Sequence, residues 1–154
     1  MRGIRRSERF EGLVRQLAEA QHPIAERSVF PTMRELICFA AILGFEYGKR
    51  KELQGKTLEI DGRIFGNHQQ SVDLLYLVAL VTAKDADILR EENEDEMIRI
   101  FEEFANGGLE ILTAWLNEKP DDPHGDRAIL AALQKYGFLE NVTEVEAAIR
   151  DVSF

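Results

Sequence analysis

The sequence predicts a mainly α-helical protein, a compact bundle of five to six helices in one domain that spans residues 1–154. Apolar residues recur at intervals of three and four over residues 8–21 and, most clearly, over residues 97–115, which is the spacing of one helix face. Thr32 and Glu35 form the pattern of a capping box at a helix start. With 45% hydrophobic residues, a chain of 154 residues can bury its own core.

The N-terminal third predicts two helices after a basic start. We expect residues 1–7 to be flexible and the first helix to span residues 8–21, ending before Pro23 because proline disfavours helix at the residue before it. The second helix begins after Thr32, and its buried face includes Leu36, Ile37, Ala40, Leu43 and Gly44. Residues 49–51 are all basic and follow its far end, where cations favour the helix dipole.

The middle of the chain contains signals for a short hairpin and for one helix. An Asp-Gly pair at Asp61 and Gly62 lies between short apolar runs, which makes a short β-hairpin near residues 57–65 a further candidate element. Residues 71–83 are apolar nearly all round. A helix of that kind is buried on most sides, so we expect it to be the central helix.

Two pairs of glycines carry alternative interpretations. The helical spacing of residues 97–115 continues through Gly107 and Gly108. Each glycine costs a helix about 1 kcal/mol relative to alanine, so the pair marks either a break or a place where another backbone comes close. Gly44 and Gly48 lie four residues apart and could likewise permit a close helix contact or end the second helix.

The C-terminal part predicts a loop followed by two short helices. Residues 119–126 are rich in Pro, Gly and Asp, which are turn formers. Residues 127–136 read as a helix with Gly137 as its C-cap, and residues 143–152 as a closing helix. We expect residues 119–154 to form a C-terminal extension packed on the core.

Composition favours a cytoplasmic protein that does not contact the membrane. The 19 Lys and Arg against 28 Asp and Glu give a net charge of -9, which opposes a general role in coating DNA. The single cysteine, Cys38, lies in an apolar run and fits a reducing compartment. The most apolar segment, residues 72–83, is shorter than the roughly 20 residues that a membrane-spanning helix needs.

The sequence offers little for catalysis. It contains no phosphate-binding loop, no dinucleotide glycine pattern and no His-Glu-x-x-His zinc helix. Asp121, Asp122, His124 and Asp126 form the densest group of polar ligands, but they lack the spacing of a calcium loop and are interpreted as turn formers. We therefore predict no catalytic residues, no cofactor and no metal ion, and a protein that is not an enzyme.

Two basic stretches are candidates for contact with DNA or with a partner protein. The first consists of Arg5, Arg6 and Arg9, and the second of Lys49, Arg50 and Lys51. Such cations can contact phosphates locally even on an acidic protein, although they also suit an ordinary solvated surface. The apolar content and the glycine pairs leave room for a homodimer face.

Two segments resemble one known family. They are residues 36–50, Leu-Ile-Cys-Phe-Ala-Ala-Ile-Leu-Gly-Phe-Glu-Tyr-Gly-Lys-Arg, and residues 100–112, Ile-Phe-Glu-Glu-Phe-Ala-Asn-Gly-Gly-Leu-Glu-Ile-Leu. Together with the apolar helix between them, they resemble the dnd-system-associated family, small accessory proteins encoded beside bacterial DNA phosphorothioation gene clusters. The resemblance covers roughly the middle two-thirds of the chain, and residues 119–154 depart from the shorter relatives.

The resemblance implies a role in bacterial genome defence. It implies an accessory component of a phosphorothioation-linked or related anti-phage system that acts through other defence-system proteins or through DNA, and it transfers no catalytic residues. Our hypothesis is a non-enzymatic interaction subunit. The alternative is a DNA-binding regulator or DNA sensor that uses the Arg-rich N-terminus and residues 49–51.

Overall fold

The computed structural model describes residues 1–139, which form six α-helices and one two-stranded antiparallel sheet. In chain order the elements are β1 (Ile4–Ser7), α1 (Glu11–Ala18), α2 (Met33–Glu46), β2 (Thr57–Ile60), α3 (Gly62–Gly66), α4 (Gln69–Ala83), α5 (Glu94–Asn117) and α6 (Asp126–Lys135). The predicted mainly α class and the predicted number of helices are confirmed. The closing helix predicted for residues 143–152 lies outside the described residues.

Helix α5 is the centre of the fold. It contacts β1, α2, α4 and α6, and every residue from 100 to 109 is buried. Buried apolar side chains of these elements and of α1 join one core cluster. The prediction that the helix over residues 71–83 is central is wrong, because Leu77 and Val81 of α4 remain 57% and 46% exposed.

Helices α2 and α5 cross with their backbones in contact. A Cβ atom on Gly44 would lie 2.0 Å from the carbonyl oxygen of Phe104, and one on Gly108 would lie 1.7 Å from that of Ala40. On Gly107 it would lie 1.8 Å from the carbonyl oxygen of Lys49. Since α5 continues unbroken through both of its glycines, these residues mark close approach and not a helix break.

Gly48 has a different role from the other three glycines. A Cβ atom there would meet nothing within 4 Å, and the residue has a φ of +61°. It follows Tyr47, the C-cap of α2. The expectation that Gly48 contacts another helix is therefore wrong, and the left-handed backbone that glycine permits ends α2 instead.

The small sheet joins two distant segments. Strand β2 pairs antiparallel with β1, with Ile60 opposite Ile4 and Thr57 opposite Ser7. The hairpin predicted near residues 57–65 is wrong in its second half, because Asp61 caps α3 by accepting a hydrogen bond from the backbone N–H of Arg63. The expected flexibility of residues 1–7 is also wrong for β1, whose Ile4 and Ser7 are buried.

The described part of the C-terminal region packs on α5. Trp115 stacks on Tyr136 with ring centroids 6.1 Å apart and an interplanar angle of 13°. In the preceding loop, the buried carboxylate of Asp122 accepts a hydrogen bond of 2.9 Å from the backbone N–H of Ala128. This bond satisfies one of the free N–H groups at the start of α6.

Candidate partner-contact surface

Glu102 is a buried carboxylate at the middle of α5. Its side chain is 1% exposed. It accepts hydrogen bonds from the backbone N–H of Arg5 at 2.7 Å and from Nη1 and Nη2 of Arg2 at 2.6 and 3.1 Å. A buried charge is tolerated when it is paired and hydrogen-bonded in this way. The carboxylate thus fastens β1 to the central helix.

Glu103, the next residue, fastens the segment that follows α2. Its carboxylate pairs with the guanidinium of Arg50 and, at 3.0 Å, with Nη1 of Arg99. Its carbonyl oxygen accepts from the backbone N–H of Lys51 at 3.0 Å. Arg99 also pairs with Glu96 at 2.5 Å, which raises the pKa of the guanidinium and lowers the pKa of the Glu96 carboxyl.

Asn106 connects both segments one turn further along α5. Its Oδ1 accepts from the hydroxyl of Ser7 at 3.0 Å, while its Nδ2 donates to the carbonyl oxygens of Lys51 and Glu52 at 3.2 and 3.1 Å. The side chain is buried, and its amide is satisfied on both sides. We call Glu102, Glu103 and Asn106 the polar spine of α5.

The two predicted basic stretches meet on the same side of α5. Most of their cations are held by carboxylates of the chain: Arg5 by Glu102, Arg6 by Glu11, Arg50 by Glu103, and both Arg9 and Lys49 by Glu110. The sequence separates these stretches by forty residues, so their meeting was not predicted. The pairing leaves little uncompensated positive charge on this surface.

Accessibility differs among the paired cations. Arg6 is 5% exposed, and its ion pair lowers the pKa of Glu11. Arg9 is 59% exposed and lies 3.6 Å from Glu110, and Lys51 is also exposed. These two cations line a small open cavity of about 280 Å³ together with Glu52, Gln54, Asn106 and Glu110. The cavity therefore carries two cations and two carboxylates and suits a ligand of mixed charge better than a polyanion.

A partly apolar surface lies along α2 and α4. An open groove of about 530 Å³ between these helices is lined in part by Cys38, Phe39, Ile42 and Leu74. Burial raises the pKa of the Cys38 thiol, which disfavours the thiolate that a nucleophile needs. Beyond the groove, α4 exposes Leu77 and Val81.

The structure also brings together two loops that the sequence did not connect. Nε2 of His22 lies 3.2 Å from Oδ2 of Asp126, and the His22 ring lies 5.0 Å from that of His124. Nδ1 of His22 accepts from the backbone N–H groups of Ile24 and Ala25 at 3.2 and 3.3 Å. Within residues 1–139, no group of three or more His, Cys, Asp or Glu residues is arranged to hold a metal ion.

One comparison identifies the family. A family model described as DNA sulphur modification system-associated protein 4 matches residues 3–149. The chain belongs to this family. The resemblance to the dnd-system-associated proteins is confirmed, and DNA sulphur modification system-associated protein 4 is linked by its description to DNA sulphur modification systems.

The extent of the family match corrects one expectation. Because the match runs to residue 149, residues 119–149 belong to the part shared by the DNA sulphur modification system-associated family and do not form an extension beyond it. A search of curated proteins and a search of solved structures each found no match. None of the helices in residues 1–139 is long and apolar enough to cross a membrane.

Proposed function

We propose that this protein is a non-enzymatic accessory subunit of a bacterial DNA sulphur modification system, or of a related anti-phage defence system, and that it acts by binding other proteins of that system. Membership of the DNA sulphur modification system-associated family supports the system. The structural observation that supports the accessory role is that the polar spine forms its hydrogen bonds and ion pairs within the fold.

The polar spine lies in the segment that carries the family resemblance, and its groups are of types that enzymes use. A catalytic acid or base must reach its substrate within hydrogen-bond distance. Glu102, Glu103 and Asn106 border open cavities, but their side chains are buried and each is bonded to residues of the same chain. We infer that this segment builds a rigid support, and that function resides in the surface that the support holds in place.

The apolar surface supports binding to a protein. Ile42 is exposed on α2, and it lines the open groove between α2 and α4 together with Phe39 and Leu74. Contiguous exposed apolar side chains on a folded protein are typical of protein interaction sites. Both helices pack directly on α5, so that these side chains are presented by rigid elements.

The direct test is affinity purification of the tagged protein from its own host, with mass spectrometry of the proteins that co-elute. One half of each sample is treated with nuclease, and a host strain lacking the modification gene cluster serves as the control. We expect modification or restriction proteins to be recovered after nuclease treatment. Recovery of the same proteins from both strains, or of none from either, would contradict the proposal.

A second candidate function is a DNA-binding regulator or DNA sensor. The observation that favours it is the meeting of the two basic stretches, which places Arg9, Lys49 and Lys51 on one side of α5. Binding through these cations would weaken steeply with salt, because each phosphate contact releases a counterion. Glu110 and Glu52 oppose such binding at the same place.

Charge reversal separates the two candidates. The triple variant Arg9→Glu, Lys49→Glu, Lys51→Glu removes the three cations that pair with Glu110 or line the cavity beside it. The matched control reverses three exposed cations elsewhere, Arg63, Arg127 and Lys135. The accessory role predicts no measurable DNA binding at 150 mM salt, an ionic strength of about the physiological value, and co-purification that both triple variants retain. Salt-dependent DNA binding lost only in the first variant would establish the second candidate.

A further inference from the structure

The outward side of α4 carries an apolar strip between two opposite charges. Leu77 and Val81 are exposed, Tyr76 is also exposed, and Leu80 is half-buried. Asp73 lies one turn before Leu77, and Lys84 follows one turn after Leu80, both with exposed side chains. Residues three and four apart share one side of a helix, so these side chains form one surface. We call it the α4 face.

The α4 face is symmetric about its midpoint, which lies between Val78 and Ala79. Asp73 and Lys84 are equally far from this point along the helix, as are Leu77 and Leu80. Tyr76 and Val81 form a third such pair. When two copies of this face pack antiparallel, each Asp73 therefore lies opposite a Lys84 of the other copy, and apolar side chains meet between the two ion pairs.

We propose that the α4 faces of two copies of this chain pack antiparallel and form a homodimer. An interface of this kind has two-fold symmetry, since residue i of one copy contacts residue j of the other and the reverse. Charge sets the direction, because parallel packing would place Asp73 against Asp73 and Lys84 against Lys84. The dimer does not depend on the proposed accessory function.

The local structure leaves both charges available for a second copy. Nε2 of Gln69 donates to Oδ1 of Asp73 at 2.7 Å, which orients the carboxylate without neutralising it. The nearest ion pairs along the described chain join Arg63 to Asp61 and Arg90 to Asp87, and include neither Asp73 nor Lys84.

Lys84 also occupies a backbone position at which glycine is the favoured residue. It is the C-cap of α4 and has a φ of +56°, a left-handed conformation that glycine adopts without strain. A side chain at a strained backbone position is a candidate for a functional contact. An ion pair between Lys84 and the Asp73 of a second copy would be such a contact.

Three of the four glycines that suggested a homodimer face cannot contribute to one. Gly44, Gly107 and Gly108 are covered by the contact between α2 and the segment after it with α5. Their lack of a side chain already permits this close contact within one chain. The exposed apolar surface of α4 is therefore the candidate for the homodimer face.

The first test is sedimentation of the full chain between about 1 µM and 1 mM, the range in which a small interface dissociates. We expect a monomer–dimer equilibrium that Leu77→Glu weakens about 100-fold or more, because two carboxylates enter an apolar interface. Leu130→Glu is the matched control, since Leu130 is 49% exposed on α6. A monomer at every concentration, or a dimer that Leu77→Glu leaves unchanged, would overturn the proposal.

The second test fixes the antiparallel arrangement. Asp73→Lys and Lys84→Asp should each weaken the dimer, and the double variant should restore it to within about threefold of the wild-type Kd, because the ion pairs are re-formed with reversed polarity. A carbodiimide should link Asp73 to Lys84. The two residues lie about 16 Å apart along one helix, so a direct amide bond between them must join two copies. Failure of the double variant to recover, with no such link in a dimer that forms, would overturn the arrangement.

Discussion

Gly108 lies against the carbonyl oxygen of Ala40, so that a methyl group on Gly108 would sit 1.7 Å from that oxygen. Gly44 makes the reciprocal approach to the carbonyl oxygen of Phe104. Two helices whose backbones come this close pack without intervening side chains. The separation of α2 and α5 is therefore fixed by glycine at these positions.

The Gly108→Ala variant should lose much of the stability of the fold. The added methyl group meets backbone and not the end of a flexible side chain, so the two helices must move apart. We expect the free energy of unfolding to fall by about 3 kcal/mol or more. Urea denaturation followed by circular dichroism measures this change.

Gly12→Ala is the matched control for this substitution. Gly12 lies in α1, and a Cβ atom there would meet nothing within 4 Å. Alanine should stabilise the helix by about 0.5–1 kcal/mol. An equal effect of the two substitutions would show that the close approach of α2 and α5 does not limit stability.

Replacing Glu102 tests the polar spine. Glu102→Ala removes the partner of Arg2 and of the Arg5 backbone N–H, and leaves these buried or half-buried donors without it. We expect a loss of about 3 kcal/mol in the free energy of unfolding, with β1 released first. Hydrogen exchange at the amides of β1 reports that release directly.

Glu118→Ala, at the C-terminal end of the same helix, provides the comparison. Glu118 is exposed and lies 4.0 Å from Lys135, a surface pair worth about 0–1 kcal/mol. A Glu102→Ala protein as stable as the Glu118→Ala protein, with protected β1 amides, would mean that the buried carboxylate does not hold the strand.

Acid should destabilise the fold. The Arg6 guanidinium holds the pKa of Glu11 below its ordinary value, and Arg99 does the same for Glu96. Burial opposes this for Asp122, but the backbone N–H groups of Ala128 and Gly125 outweigh it and lower its pKa as well. A carboxyl with a lowered pKa in the folded state stabilises above its unfolded pKa, about 4, and loses this effect as the pH falls below it.

Denaturation at a series of pH values from 6 to 2.5 measures this dependence. The free energy of unfolding should fall below pH 4.5, a value near the ordinary carboxyl range of about 4. Asp122→Asn should flatten the curve, since one of the three groups no longer titrates. A curve that Asp122→Asn leaves equally steep would mean that Asp122 does not contribute to the acid sensitivity of the fold.

Sequence reasoning succeeded where local chemistry decides the structure. Thr32 caps α2 as predicted, with its hydroxyl accepting from the Glu35 backbone N–H at 3.2 Å. The continuous helical spacing through Gly107 and Gly108 also proved to be one helix, α5. Both outcomes depend on residues within a few positions of one another, and propensity and capping act at that range.

Sequence reasoning failed where distant segments decide the structure. Strand β1 forms because β2 and the carboxylate of Glu102 lie beside it. A segment of four residues does not predict partners that are distant in the sequence. Asp61 and Gly62 suit a turn and a helix start equally well, so the hairpin could not be separated from α3. Hydropathy also does not predict the burial of Glu102. Its spacing of four from Asn106 within an apolar stretch was the one signal that both polar side chains share a helix face directed into the fold.

The proposed role of this protein is association with other proteins of a DNA sulphur modification system. Sedimentation of the fluorescently labelled protein in nuclease-treated extracts tests it most directly, with extracts prepared from the host and from a strain that lacks the gene cluster. If the protein binds components of the system, its boundary should sediment faster, well beyond that of a dimer, only in the extract that contains the cluster proteins. Identical boundaries in the two extracts would contradict it.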